Sequence, residues 1–71
     1  MSGSVYKIIE LVGTSEVSWE DAAKKAVETA SKTLKNLRIA EISSLDMKTE
    51  NGKVVAYRAR VKLSFKYEQT D

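Results

Sequence analysis

The sequence predicts an α+β fold, a β-α-β-β chain with an antiparallel hairpin, in which one helix covers one face of a three-stranded sheet. Three observations predict it. A short run rich in β-branched residues ends at Gly13, one stretch repeats its small apolar residues at helical spacing behind Ser18, and two strand-like stretches flank Asn51-Gly52. In order, Val5 to Val12 is short and apolar and reads as a strand (5–12) closed by a turn at Gly13. Ser18 precedes Trp19-Glu20-Asp21, so its hydroxyl can accept from the Asp21 amide while the acidic residues occupy the positively polarised first turn. From there Trp19, Ala22, Ala23, Ala26, Val27, Ala30 and Leu34 recur on one face. The helix is expected over 18–36, with lysines crowding its later turns and Asn36 as the end signal.

Leu37 to Lys48 and Val54 to Tyr67 are the remaining strands (37–48 and 54–67), and Asn-Gly between them is a strong hairpin signal. The last strand alternates: Ala59, Val61, Leu63, Phe65 and Tyr67 on one side, Arg58, Arg60, Lys62, Ser64 and Lys66 on the other. A two-residue loop pairs Leu45 with Arg58, Ser43 with Arg60, Glu41 with Lys62 and Ile39 with Ser64. The helix should then cover the apolar row together with Ala40 and Ile42, leaving Ile39, Leu45 and Met47 beside the basic row on a face that nothing in the chain covers. That face is expected to meet another subunit or a ligand, and the sheet edges to be paired or shielded by copies of the chain. Only the first four and last few residues read as loose.

Size and composition narrow the function. The 71 residues form a single domain (1–71), and a chain this short buries only roughly 60% of its unfolded surface. It has no Cys and no His, which removes disulfides, the usual zinc ligands and imidazole chemistry, and leaves self-association as the means of stabilisation. The serines have no base to activate them, so no catalytic residue is assigned and a binding or storage module is expected. Lys+Arg 12 against Asp+Glu 10 gives a net charge of +2, too even to argue for nucleic acid. No apolar run spans a membrane, the start of the chain lacks the regions of a signal peptide, and the cytoplasm is the expected compartment.

Several features carry two readings. The row Arg58, Arg60, Lys62, Lys66 either contacts phosphates or is a solvated face paired with neighbours such as Glu41, and the absence of interleaved aromatics favours the latter. Asp46 and Glu50 near the hairpin, like Glu16, Glu20 and Asp21 at the helix start, either offer oxygens to a hard cation or serve turn and helix-dipole chemistry. Trp19 either stacks a ligand or packs over the sheet end or against a neighbouring subunit, and packing is the favoured reading. Gly13-Thr14-Ser15 lacks the spacing and lysine of a phosphate loop and is read as a turn.

Val5-Tyr6-Lys7 through Gly13-Thr14-Ser15, Ala22-Ala23, Ala40-Glu41-Ile42 and Tyr57 to Phe65, in this order and spacing, resemble the dodecins from about Val5 to Glu68. The resemblance implies a three-stranded antiparallel sheet wrapped round the helix and a hollow homododecamer that binds riboflavin, FMN or FAD, stacked between tryptophans of symmetry-related subunits and hydrogen-bonded by a glutamine. Those two positions fall on Ile39 and Arg58, with Leu45 and Met47 beside them. An isoleucine cannot stack a ring as an aromatic does, and a guanidinium lacks the amide's paired donor and acceptor. The resemblance therefore implies flavin binding that is weakened or lost here. Ser18-Trp19-Glu20, Arg38-Ile39-Ala40 and Asp46-Met47 are similar to the calcium dodecin branch, which implies calcium binding, with Asp46 and Glu50 as candidate ligands by charge and position.

Overall fold

The computed structural model describes residues 4–67; the first three residues and the last four, part of the termini expected to be loose, lie outside the described residues. The elements run β1 (Tyr6–Ser15), α1 (Trp19–Ser31), β2 (Leu37–Glu50) and β3 (Lys53–Lys66). The sheet is antiparallel in the order β1-β3-β2. The β-α-β-β order and the three-stranded sheet on one helix are therefore those the sequence predicts.

The first strand does not stop at Val12. It runs through Gly13-Thr14 to Ser15, which pairs with Tyr57, so the expected turn at Gly13 is a correction. The physical reason is the helix: a Cβ on Gly13 would collide with the Ala22 carbonyl oxygen and lie 3.1 Å from Ala26 Cβ. Glycine stands here for close approach of strand and helix, not for a bend. The reversal comes two residues later. Ser15 Oγ donates to Asp21 Oδ2 at 2.6 Å and accepts from the Val17 amide at 2.9 Å, while Ser18 Oγ accepts from the Asp21 amide at 3.0 Å, the expected N-cap.

The helix is shorter than expected, closing at Ser31 rather than Asn36. The amides of Lys32 and Thr33 turn back to the Thr29 and Ala30 carbonyls at 3.2 Å, a tightening of the last turn that ends the α ladder. Asn36 takes the left-handed conformation (φ 64) five residues further on, where the chain enters β2. The lysines expected to crowd the final turns fall mid-helix or beyond its end, and no basic residue lies in the last turn.

The core is slim. Ala22, Ala26 and Ala30 of α1 bury themselves against Ala59, Val61, Leu63 and Phe65 of β3, with Ile9, Leu11, Val27 and Leu37 packed round them. Alanines let the helix axis approach the sheet closely, so α1 lies on β1 and the central strand β3. A helix is about 10 Å across and strands lie about 4.8 Å apart, enough cover for two strands rather than three. The helix-side surface of β2 is consequently left open: Ile42 is 46% exposed, Leu45 49% and Met47 47%. The expected cover of Ile42 by the helix does not occur.

Asn51 (φ 53) and Gly52 (φ 77) make the two-residue hairpin turn with both residues left-handed, as the Asn-Gly pair requires. Beyond Tyr57, where β1 ends, β2 and β3 continue alone as a two-stranded ribbon.

Candidate functional site

The hairpin register decides which side chains share a face. Glu41 pairs with Lys62 and Ile39 with Ser64, as expected, but Ser44 rather than Ser43 pairs with Arg60, and Asp46 rather than Leu45 pairs with Arg58. Two irregularities, one between Lys48 and Thr49 and one between Ile42 and Ser44, shift the ladder by a residue and then restore it. Between them every side chain of β2 changes sides relative to a regular hairpin. Leu45 faces Ala59 and Met47 faces Tyr57, on the helix side. Placing Leu45 and Met47 beside the basic row is thus corrected: of the four candidate ligand-site residues, only Ile39 and Arg58 lie on the face away from α1.

That outer face is built in rows across β1, β3 and β2: Thr14, Arg58 and Asp46; Val12, Arg60 and Ser44; Glu10, Lys62 and Glu41; Ile8, Ser64 and Ile39. Arg58 grips Asp46 through both carboxylate oxygens, Nε to Oδ1 at 2.7 Å and Nη2 to Oδ2 at 2.8 Å. The guanidinium holds the Asp46 carboxyl below its usual range, and the carboxylate in turn raises the Arg58 guanidinium. Arg60 Nη1 stands 3.9 Å from Glu10 Oε1. Lys62 is flanked by Glu10 and Glu41 in register. Arg58, Arg60 and Lys62 are therefore interleaved with carboxylates, which favours the paired reading of the two open in the sequence, while Lys66 lies opposite Tyr6 and stands outside that pattern.

At the far end of this face Ile8 and Ile39 flank Ser64 and are 60% and 56% exposed. Ile39 and Arg58 are separated by the six residues from Ser64 to Arg58 along β3, about 20 Å. One subunit cannot bring both to one small ligand. An exposed aliphatic pair offers no ring to stack on, and the guanidinium fork is already filled, so these residues do not fit the flavin arrangement implied by the resemblance.

Asp46 and Glu50 do not converge either. Four residues apart on one strand, they are about 13 Å from each other; Asp46 is held by Arg58, and Glu50 lies 3.9 Å from Lys48 Nζ. No group of three or more acidic residues among the described residues is placed to hold a metal ion. The candidate pair does not form a cation site within one chain.

The packing of Trp19 over the sheet, one of its two readings in the sequence, lies directly behind the Asp46 and Arg58 pair, on a partner the sequence did not reveal. Trp19 reaches from the start of α1 to β2, where its Nε1 donates to the Asp46 carbonyl at 3.0 Å, and its ring meets Tyr57 edge-on with centroids 5.2 Å apart. Packing over the sheet is thus the role of Trp19. With Glu20, Ala23, Ile42 and Leu45 it lines an apolar recess between α1 and the uncovered part of β2. The signal was the tryptophan itself, but its target depended on a register that only the bulges set.

A small β-α-β-β protein with one helix on an antiparallel sheet, an open outer face of paired charges and an apolar recess behind it is the class these features define. The chain belongs to the dodecin family, whose model matches residues 5–68. It is 40% identical over 63 residues to the protein named calcium dodecin from Mycobacterium tuberculosis, covering 89% of each chain. The solved dodecin of Streptomyces coelicolor superposes with a TM-score of 0.88 at 34% identity, over 99% of this chain and all of that one. The crystal structure of the Mycobacterium tuberculosis calcium dodecin, described as calcium chelating with a novel calcium-binding site, superposes at 0.80 with 39% identity, over 96% of this chain and 97% of that one. Among the described residues no helix is long and apolar enough to cross a membrane.

Proposed function

We propose that this chain is the subunit of a non-enzymatic, cytoplasmic binding or storage shell, a hollow homododecamer whose affinity for riboflavin, FMN or FAD is weakened or lost. The observation that carries this reading is the apolar surface that one helix leaves open on both sides of the sheet: Ile8 and Ile39 outside, Ile42, Leu45 and Met47 inside. In a chain with so slim a core, copies of itself are the natural cover. The family match over nearly the whole chain supports the form of the assembly. Light scattering after size exclusion tests it: a mass of twelve chains is expected, and a monomer defeats the reading.

For the ligand, Ile39 in place of the stacking tryptophan and Arg58 in place of the glutamine support weak flavin binding. Titration of riboflavin or FMN should show no stoichiometric submicromolar quenching of flavin fluorescence. Ile39→Trp with Arg58→Gln should raise the affinity; no gain would mean that the pocket differs in more than these two residues.

Calcium binding is the second reading, favoured by the similarity to a relative described as calcium chelating. Since Asp46 and Glu50 do not converge in one chain, the ligands would come from several subunits. Calorimetric titration of the assembled protein with calcium distinguishes this from a purely structural shell, because saturable heat and a raised melting temperature are expected only with a site. The interleaved carboxylates speak against a nucleic-acid module, and no gel shift with oligonucleotides is expected at low salt.

A further inference from the structure

The chain has two asparagines, and both take the left-handed backbone, Asn36 at φ 64 and Asn51 at φ 53. Their surroundings differ. Asn36 is half-buried, its carbonyl accepts from the Lys66 amide at 3.0 Å, and the residue after it, Leu37, is itself half-buried and paired with Phe65. Asn51 is exposed and is followed by Gly52, at φ 77, with nothing within 4 Å of the place a Cβ would take. The ladder closes at Glu50 and Lys53, so the Gly52 amide lies outside it. The tip is also weakly held: β1 ends opposite Tyr57, the ladder slips by a residue between Lys48 and Thr49, and beyond the slip only Thr49 with Val54 and Glu50 with Lys53 remain paired. A two-stranded end of this kind opens locally at little cost.

From this arrangement we infer that Asn51 is a site of spontaneous covalent modification, at which the Gly52 backbone nitrogen converts the side-chain amide to aspartate and isoaspartate. As the tip flexes, the Gly52 nitrogen bonds to Asn51 Cγ, the bond from Cγ to Nδ2 breaks, and ammonia leaves with the proton that the Gly52 nitrogen gives up. Water then opens the cyclic imide at either carbonyl. Water is consumed, ammonia is released, and nothing is oxidised or reduced. The attacking and attacked atoms belong to adjacent residues, so no partner has to be gathered, and glycine presents no Cβ to obstruct the approach. At Asn36 the Leu37 side chain and its pairing stand in the way. Either product puts a new carboxylate next to Glu50 and lowers the net charge of +2 by one. Isoaspartate also routes the main chain through the side-chain carbons, which lengthens a turn that closes only as a two-residue loop. The ribbon tip therefore changes its charge and loosens with time alone, without an enzyme.

The test holds the full-length protein in mildly alkaline buffer at physiological temperature and follows it by peptide mass mapping, beside a synthetic peptide covering 48–56. The Asn51 fragment should gain the mass of an amide-to-acid exchange, with isoaspartate as the main product, while the Asn36 fragment stays unchanged. Gly52→Asn still tolerates left-handed backbone but carries a side chain; it should bring conversion at Asn51 down to the level of Asn36. An Asn51 that stays intact in the folded protein while the peptide converts, or an Asn36 that converts as fast, overturns the inference. The structural consequence is read by hydrogen exchange. In aged protein the amides from Lys48 to Ala56 should exchange faster, while those of Val61 and Leu63 keep their protection. Asn51→Asp carries the charge without the longer backbone and should exchange like fresh wild type. Aged protein that exchanges no faster than fresh protein, or no faster than Asn51→Asp, overturns the loosening of the turn.

Discussion

Gly13, Leu63 and the two acidic residues Asp21 and Asp46 show how single side chains hold this fold. Gly13 lies where the helix backbone touches the first strand, so Gly13→Ala must push α1 off the sheet. We expect a loss of about 3 kcal/mol in denaturant unfolding, the upper range for overpacking. Leu63 is fully buried at the centre of a core made mostly of small residues, and Leu63→Ala should cost about 3 kcal/mol by the same measurement. Asp21 is held below its usual range first by the Ser15 hydroxyl and then by Lys25, and Asp46 first by Arg58. For both, the unfolded chain takes up its proton before the folded one does. Their contribution is therefore present above about pH 4, the ordinary carboxylate range, and is lost as pH falls through the lower folded-state values. Melting temperatures followed from pH 7 to acid should drop below that point, and Asp21→Asn together with Asp46→Asn should flatten the acid limb. Both groups are solvent-exposed, so added salt should shrink the effect.

At the level of elements, the N-cap and the bulges matter most. Ser18→Ala removes the acceptor for the Asp21 amide and should cost about 1 kcal/mol in denaturant unfolding. The element order, the N-cap and the hairpin turn were legible because each rests on local chemistry: a hydroxyl beside a helix start, or an Asn-Gly pair that tolerates left-handed backbone. Element ends were less so. Gly13 reads as a stop in isolation, and only the approach of Ala22 and Ala26 makes it a strand residue. Between Lys48 and Ser44 the ladder runs one residue out of the simple register and then returns. Alternation alone thus placed Glu41 and Ile39 correctly and Leu45 and Met47 on the wrong side. Hydrophobicity could not reveal the error, since apolar residues are exposed on both faces of β2.

For the whole molecule, one helix and three strands leave a mismatch of width. The helix covers β1 and β3, and β2 keeps an apolar recess edged by Trp19, Ile42 and Leu45. If copies of the chain fill that recess, Leu45→Asp should lower the mass seen by light scattering while the far-ultraviolet circular dichroism retains its mixed helix and strand shape. Retention of the wild-type mass would place the contact between subunits elsewhere. This uncovered inner strand, unlike the open outer face, was not foreseen, because the sequence counts apolar residues but not the width of the element meant to cover them.

By itself the sequence determined the chain order, the helix cap, the hairpin turn and the alternating final strand. Only the tertiary structure decided that Asp46 meets Arg58, that Trp19 bolts the same strand from the other side, and that Ile39 lies too far from Arg58 to share a ligand within one subunit. The physical reason is that these follow from strand register, which the irregularities between Ile42 and Ser44 and between Lys48 and Thr49 move by one residue, and a shift of one residue changes the face of every side chain without changing the alternation of the sequence.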